Sequence, residues 1–435
     1  MPATLKVPTT SYDVRRHRLS NGLRVVLAPD RSAPVVAIAV YYDVGWRSEP
    51  EGRTGFAHLF EHLMFQGSAS LEKMEHAHYV MSSGGTLNGS TRLDYTNYFE
   101  VLPSNALERG LFLEADRMRS PRVTEENLAN QIAVVKEEIK VNVLNQPYGG
   151  FPWLLLPTLL FKTFPNAHNG YGGFEDLDNA TVEDASGFFK RYYAPGNAVL
   201  AVGGDMDPDE TLALIEKHFG DIPRRKTPPR PSFAEPAPTS EQRGEVVDAK
   251  APTPAVALGW RVPDPLGDME AYLPFAVLSE VLVRGDASRF RQRLVHDEHL
   301  VTDISASVGL LEDPFDVRDP TIFVVTAFHG GEVSSDDVVR AIDEEIDRLC
   351  RDGLDDGELS RIQARIAATL LTRQDFVLGR TLAMASLEQQ REDPGLVAEL
   401  PALIGSVTAE QVVGAAATLQ PDRRARLDLV PGGSR

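Results

Sequence analysis

Two histidines and a glutamate in the segment Phe56–Leu63 (FAHLFEHL) have the types and the spacing of a metal site. His58 and His62 are one turn of helix apart, so on an α-helix they share a face and both imidazoles can bind one ion. Glu61 lies beside them, where a carboxylate can take a proton from water that a metal has made acidic. The segment predicts a zinc ion and hydrolysis with Glu61 as general base.

The residues on either side of the His58–His62 motif are apolar, with GFA (55–57) before it and LMF (63–65) after it. A histidine pair on a solvated helix face or in a core is the structural alternative, and the apolar setting together with Glu61 favours a metal. His-x-x-Glu-His is the signature of inverted zincins. The motif is only moderately specific, because two histidines and a glutamate also occur together on ordinary helices.

A catalytic zinc site needs three protein ligands and one open position, so a third ligand must come from elsewhere. Glu137 and Glu138 lie in a second helical pattern, ENLANQIAVVKEEI. Their side chains point about 100° apart, so only one can face the ion. With Val134, Val135 and Ile139 taken as the buried stripe, periodicity does not choose between the two glutamates.

The elements around these residues occur twice. Residues 24–44 (RVVLAPDRSAPVVAIAVYYDV) predict two strands, entered by a turn at Asn21 and Gly22. Residues 256–262 (VALGWRV) match the second of these strands. The chain therefore contains two related strand segments far apart in sequence.

The helical segments repeat as well. Residues 275–282 (FAVLSEVL) align without a gap on Phe56–Leu63, and Val277 and Val281 occupy the histidine positions. The second copy keeps the helix and loses the ligands. Each half also closes with a helix and a strand, in residues 182–205 and 408–432. We predict an α+β fold of two duplicated domains, each a mostly antiparallel sheet covered by helices.

A proline-rich stretch separates the halves. With 435 residues, the chain is longer than a single hydrophobic core usually grows. Prolines crowd residues 223–242, where no helix or inner strand can persist. We predict a zinc-binding catalytic domain at 1–222, a linker at 223–242 and a duplicated domain without metal ligands at 243–435.

Charge and composition exclude several classes of partner. The chain carries 44 basic and 63 acidic residues, a formal net charge of -19, which repels phosphate backbones and anionic lipids. We expect no nucleic acid or membrane partner. Cys350 is the only cysteine, so neither an intramolecular disulfide nor a cysteine zinc site can form. No signal peptide or long apolar run is apparent, and we expect a soluble cytoplasmic protein.

A second group of possible ligands, Glu75, His76 and His78, lies after the first motif. On a helix or a strand their side chains would not converge on one ion, since they point to different faces. We predict that these three residues lie on a solvated surface.

The runs FAHLFEHLMFQGS, LNGSTRLDYTNYFEVLP, VVKEEI, PYG and FFKRYYAPGNAVLAVGGD, in this order, resemble the pitrilysin, insulysin and mitochondrial processing peptidase family. The resemblance spans the N-terminal half and implies a zinc endopeptidase whose domains form half of a clamshell chamber for unfolded peptides. It implies Glu138 as the third ligand, with Glu137 as the fallback. Many members carry a further glutamate two turns earlier, where Gln131 could keep a hydrogen-bonding role but not a charged one.

The resemblance also implies how substrate binds. A peptide would add a strand to the sheet edge at residues 84–90 (GGTLNGS), using backbone hydrogen bonds that tolerate many sequences. Asn88 would contact the peptide, and Gly89 and Ser90 would lend backbone groups. The alternative is an ordinary turn-rich loop.

The C-terminal half lacks a feature of self-sufficient relatives, in which an arginine and a nearby tyrosine stabilise the oxyanion. In residues 288–306 (SRFRQRLVHDEHLVTDISA), Val295 and Thr302 occupy those positions, and the last tyrosine of the chain is Tyr272. The chain resembles the zinc-bearing subunit of a heterodimer whose metal-free homologous partner supplies the pair. A non-catalytic core subunit and a peptide-binding shell with structural zinc are the alternatives.

Overall fold

The computed structural model describes residues 11–236, 238–311 and 313–432, and over these residues it is an α+β protein with two sheets. The strands are β1 (Arg15–Arg18), β2 (Arg24–Pro29), β3 (Val35–Tyr42), β4 (Thr86–Thr91), β5 (Thr96–Pro103), β6 (Ala198–Gly204), β7 (Gln242–Asp248), β8 (Ala255–Arg261), β9 (Asp303–Val308), β10 (Ile322–Phe328) and β11 (Arg424–Pro431). 

The α-helices fall between these strands, most of them after β5 in the first half and after β10 in the second. They are α1 (Phe56–Leu63), α2 (Glu75–Ser82), α3 (Leu107–Arg119), α4 (Glu125–Ile139), α5 (Leu156–Leu160), α6 (Phe164–Ala167), α7 (Phe174–Asp178), α8 (Val182–Tyr192), α9 (Pro208–Phe219), α10 (Met269–Val283), α11 (Ser335–Asp352), α12 (Asp356–Asp375), α13 (Val377–Arg391), α14 (Leu400–Ser406) and α15 (Ala409–Ala417).

The two sheets share one topology. The first has the strand order β1-β2-β6-β3-β5-β4 and the second the order β7-β11-β8-β10-β9. In each sheet one pair is parallel, β2 with β6 and β7 with β11, and the other pairs are antiparallel. Apart from β1 the orders correspond strand for strand, so the predicted duplicated α+β fold with mostly antiparallel sheets is confirmed.

Strands β2, β3 and β6 are buried on both faces, which explains why they read as almost continuous apolar runs. One face packs on α1 and α3 within the first half. The other packs on α13 of the second half, where Met384 and Leu387 meet Val26 and Ala201. The helices on both faces hold the sheet rigidly beside the metal motif.

The second sheet receives a helix in return. Leu156 and Leu160 of α5 pack on Ala257 and Leu427 in the second sheet. Each half therefore covers part of the other's sheet. Among the described residues, 223–236 and 238–241 contain neither helix nor strand, and the division into domains at this stretch stays a prediction.

Within the described ranges, no single helix is long and apolar enough to cross a membrane. Only α14 and α15 taken together reach that length and composition, and the chain bends by 82° between them. Leu400 and Ile404 of α14 and Val412 of α15 are buried in the core of the second half.

Candidate metal centre

Helix α1 presents the two histidines and Glu61 on the face opposite its buried side. Phe56, Leu59, Phe60 and Leu63 are buried in the core of the first half. The helix begins after Gly55, whose φ of 83° lies in the left-handed region that favours glycine. The Glu49 carboxylate accepts the backbone N–H groups of Gly55 and Ala57 at 2.9 and 2.7 Å. A carboxylate at this end fixes the helix and complements its dipole.

Helix α4 brings one glutamate to the histidines. Thr124 caps the helix by accepting the Asn127 N–H at 3.1 Å. The buried stripe contains Leu128, Val135 and Ile139, whereas Val134, expected to be buried, is 43% exposed. The expectation for Val134 was wrong because the face of α4 that meets the core contains Leu128, Val135 and Ile139, at i, i+7 and i+11, and Val134 lies beside that face. 

The two glutamates at the end of α4 point in different directions. Glu137 points to the surface and pairs with Lys140 at 3.1 Å. Glu138 faces α1 and reaches both histidines. Local periodicity could not say which glutamate faces the histidines, and the packing of α4 on α1 brings Glu138 to them.

Three side chains converge at this point. Nε2 of His62 lies 3.3 Å from Nε2 of His58. The Glu138 oxygens lie 3.2 Å from His62 Nε2 and 3.6 Å from His58 Nε2. A tetrahedral ion with bonds of about 2.0–2.1 Å separates its ligand atoms by roughly 3.3 Å. The spacing of the three side chains is therefore close to that of a zinc site.

The charge states of these residues suit a metal. Burial, together with the charge of His62, lowers the pKa of His58 to about 4, so its imidazole is neutral at pH 7. The hydrogen bond from His62 lowers the pKa of Glu138, which stays ionised. Neutral imidazole and ionised carboxylate are the metal-binding forms. In the described chain His58 Nδ1 is buried without a hydrogen-bond partner, so the ring is oriented by its packing and by the contacts of Nε2.

Glu61 is held by a residue that the sequence did not single out. The Thr91 hydroxyl, at the end of β4, donates to Glu61 Oε2 at 2.6 Å. Burial raises the pKa of Glu61, and this hydrogen bond opposes the rise. Gly89 also packs against Glu61, since a Cβ built at Gly89 would lie 3.3 Å from Glu61 Cγ. Thr91 could have been found as the residue two places after Gly89 on the same strand face.

The comparisons with known proteins give the family. Residues 24–149 match the family described as insulinase (peptidase family M16), and residues 179–366 match the peptidase M16 inactive domain. Together the two matches cover more than two thirds of the chain. The chain belongs to peptidase family M16.

Individual relatives agree with this M16 assignment. The chain is 27% identical over 384 residues to the zinc protease PqqE of Helicobacter pylori, which covers 88% of this chain and 82% of that protein. It is 24% identical over 419 residues to a probable mitochondrial-processing peptidase subunit beta of Arabidopsis thaliana, covering 92% of this chain and 75% of the relative.

Solved structures share the fold of this M16 chain. A protease from Helicobacter pylori superposes with a TM-score of 0.89 at 24% identity, covering 97% of this chain and 100% of that one. A peptidase M16 inactive domain from Pseudomonas fluorescens superposes with a TM-score of 0.83 at 18% identity, covering 97% and 99%. At these identities the likeness shows the fold alone.

Tyr171 is a second residue of the candidate metal centre that was not predicted from the sequence. Its ring packs edge-on against His58, with centroids 5.1 Å apart. Burial, then the charge of Glu138, raises the pKa of its hydroxyl, which therefore keeps its proton beside that carboxylate. A tyrosine in a glycine-rich stretch carried no signal of this contact.

Gln131, predicted to hydrogen-bond around the site, is buried on α4 two turns before Glu138. Its side-chain amide donates to Asn130 Oδ1 at 2.9 Å. Among the described residues it makes no hydrogen bond to His58, His62 or Glu138. Its role beside the ligands stays a prediction.

The predicted substrate residues lie on β4, the edge strand of the first sheet. Asn88 is exposed, and its Oδ1 accepts the Gly89 N–H at 2.9 Å. The Ser90 hydroxyl donates to Asn97 Oδ1 at 2.6 Å. All three predicted residues line a cavity of about 830 Å³ that the C-terminal half closes from the other side.

The positions predicted to lack oxyanion donors lie in the second half. Val295 packs against the hydrophobic core. The Thr302 hydroxyl donates to the Phe328 carbonyl at 3.1 Å. Within the described residues neither side chain presents a free cation or phenol.

His76 corrects the expectation of a solvated surface. It is 5% exposed, and its Nε2 lies 3.4 Å from Glu100 and 3.9 Å from Glu114. Arg117 donates to Glu114 in the same cluster. The expectation failed because α3, distant in sequence, covers α2 on this side.

Proposed function

We propose that this chain is a zinc-dependent endopeptidase whose zinc is held by His58, His62 and Glu138. The observation that carries the proposal is the convergence of these three side chains, whose imidazole nitrogens and carboxylate oxygens approach one another at 3.2 to 3.6 Å beside Glu61, which Thr91 holds in place. Zinc bound there would supply Lewis acidity that polarises a peptide carbonyl and makes water acidic. The side chains supply the remaining steps.

Glu61 acts as the general base. Thr91 occupies Oε2 of Glu61, which leaves Oε1 to accept the proton of the attacking water. The same oxygen then returns the proton to the leaving amine as the C–N bond breaks. Burial raises the pKa of Glu61, which favours the protonated form that Glu61 takes between the two proton transfers.

Peptide binds along the free edge of β4, where Asn88 contacts it and the backbone of Gly89 and Ser90 forms strand-like hydrogen bonds. Such binding depends little on side chains, so unfolded peptides are the substrate class. The cavity of about 830 Å³ between the two halves receives the peptide side chains. A chamber closed by the partner subunit would admit unfolded peptides and exclude folded proteins.

A homologous metal-free subunit completes the active site by supplying an arginine and a tyrosine to the oxyanion. Val295 packs in the core and Thr302 is engaged with a backbone carbonyl, which supports a donor pair from outside this chain. One relative is named as a subunit, the beta subunit of mitochondrial-processing peptidase. In this proposal the two subunits close over the peptide as a chamber.

Zinc content and peptide cleavage test the proposal together. The chain alone should contain one zinc and cleave weakly, and mixing it with a family member that carries the arginine and tyrosine should restore cleavage. Glu61→Gln should keep its zinc and lose about 10²–10⁴-fold in kcat. Full activity of the lone chain would exclude the heterodimer, and a chain without zinc would exclude the enzyme.

A non-catalytic subunit of the same family is the second candidate. A structure described as an M16 inactive domain superposes over 97% of the chain, so the fold agrees with either function. A zinc-loaded chain that binds peptide but cleaves none, alone or mixed, would favour this candidate. A structural zinc would have a protein side chain in its fourth position, whereas a catalytic zinc keeps a water there.

A further inference from the structure

The edge strand β4 presents two different faces. Leu87, Gly89 and Thr91 face the helices of the first half, where Gly89 and Thr91 touch Glu61. Asn88 and Ser90 face the cavity and stand opposite Phe99 and Asn97 of β5. A peptide added at this edge therefore alternates its own side chains between the Glu61 side and the cavity.

Arg92 continues the cavity-facing set just beyond the end of β4. It lines the cavity and is half-buried there. Burial raises the pKa of the Tyr41 and Tyr95 hydroxyls, and the positive charge of Arg92 opposes the rise at both. Both rings line the same cavity, so the guanidinium lies at the cavity wall near them.

Among the residues that the structure describes, Arg92 differs from the other two cavity arginines in having no hydrogen-bond or ion-pair partner for its side chain. Arg284 pairs with Glu280 at 3.3 Å, and Arg373 pairs with Asp313. Over the described ranges, the Arg92 side chain makes neither an ion pair nor a hydrogen bond. Five N–H donors on a half-buried cation are therefore left for solvent or a ligand.

We propose that Arg92 binds an acidic side chain of the peptide, so that the chain prefers substrates with Asp or Glu at a cavity-facing position. The inference rests on the proposed peptide binding along β4. A guanidinium matches a carboxylate with two parallel hydrogen bonds, which gives strength and direction. The formal net charge of -19 repels acidic peptides in general, so a preference for one must come from a local cation.

Peptide binding to a catalytically inactive variant tests the inference without relying on turnover. The zinc-loaded Glu61→Gln chain is titrated with fluorescent peptides in which one Glu is moved along a neutral host, each paired with its Gln counterpart. At one position we expect the Glu peptide to bind on the order of tenfold more tightly. Arg92→Gln in the same background should reduce that ratio to about one, and Arg92→Glu should favour Lys at the position.

Arg284→Gln is the matched control, because it removes a cavity arginine that already has a partner. It should keep the Glu preference. Equal binding of Glu and Gln peptides at every position, or a preference that survives Arg92→Gln, would overturn the inference while leaving the peptidase intact. Absence of all peptide binding would instead reject the proposed function. In active enzyme, an Arg92→Gln loss of kcat shared by every peptide would identify an oxyanion donor and also overturn acid recognition.

Discussion

Two clusters of histidine and glutamate lie in the N-terminal half, and they differ in the source of positive charge. In the first, His58, His62 and Glu138 converge at 3.2 to 3.6 Å, with 12%, 22% and 28% of their side chains exposed. In the second, His76 lies 3.4 and 3.9 Å from Glu100 and Glu114, and all three are almost completely buried.

The second cluster already contains its cation. The Arg117 guanidinium donates to Oε1 of Glu114, the oxygen that also faces His76. It lies over the rings of Tyr98 and Phe65 at 4.2 and 5.2 Å. A divalent ion bound to that oxygen would sit beside the guanidinium, which repels it. Converging ligand atoms therefore indicate a metal only where no positively charged side chain already pairs with them.

Removing one ligand from each cluster gives the largest expected contrast. His62→Gln should lose its zinc and all measurable hydrolysis, because two ligands hold the ion far more weakly than three. His76→Gln should retain one zinc per chain, measured by mass spectrometry of the purified protein. Circular dichroism checks that both variants are folded. Two zinc ions in the unaltered chain, or zinc lost from folded His76→Gln, would break the distinction between the clusters.

Removing Arg117, the cation of the second cluster, gives the next largest expected effect, a loss of stability. Arg117→Met leaves Glu114 buried without its partner, and we expect a loss of about 3–5 kcal/mol in the free energy of unfolding. Urea denaturation measures it. Arg119→Met, two residues later, removes a half-exposed pair with Asp221 and should cost about 0–1 kcal/mol. Equal costs for the two variants would mean that Arg117 does not neutralise the second cluster.

The comparison of the two clusters also shows which features could be predicted from the sequence. The helix with the His-x-x-Glu-His motif, the two strands in residues 24–44 and the duplication could be predicted from local sequence patterns. Helix α1 spans the predicted Phe56–Leu63. The repeat of strands is confirmed by the matching order of the two sheets. Local patterns persist here because each of these elements buries one face within its own half.

The failures come from contacts between distant segments. His76 and His78 look alike in sequence, yet α3 buries His76 and leaves His78 exposed. Thr91 reaches Glu61 only because β4 passes beside α1. The exchange of α5 and α13 between the halves has no local signature, since an amphipathic helix does not reveal which sheet it covers.

The smallest expected effect concerns the protonation of the second cluster. Burial, then the charge of Glu114, raises the pKa of Glu100 well above its usual 4.5. Between 4.5 and the raised value, the folded chain holds a proton that the unfolded chain has released. The free energy of unfolding therefore falls as pH rises through this window, and a neutral Glu100 is a poor metal ligand.

Glu100→Gln tests this protonation because the amide imitates the neutral acid at every pH. Relative to the unaltered chain, we expect the variant to gain about 1 kcal/mol of stability per pH unit within the window. Urea midpoints at pH 5 and pH 8 measure the difference, and the opposite contribution of His76 is common to both proteins. Glu108→Gln, exposed at the start of α3, should show no such gain. Parallel pH profiles for Glu100→Gln and the unaltered chain would mean that Glu100 is ionised when folded, and the second cluster would then carry the charge that a metal requires.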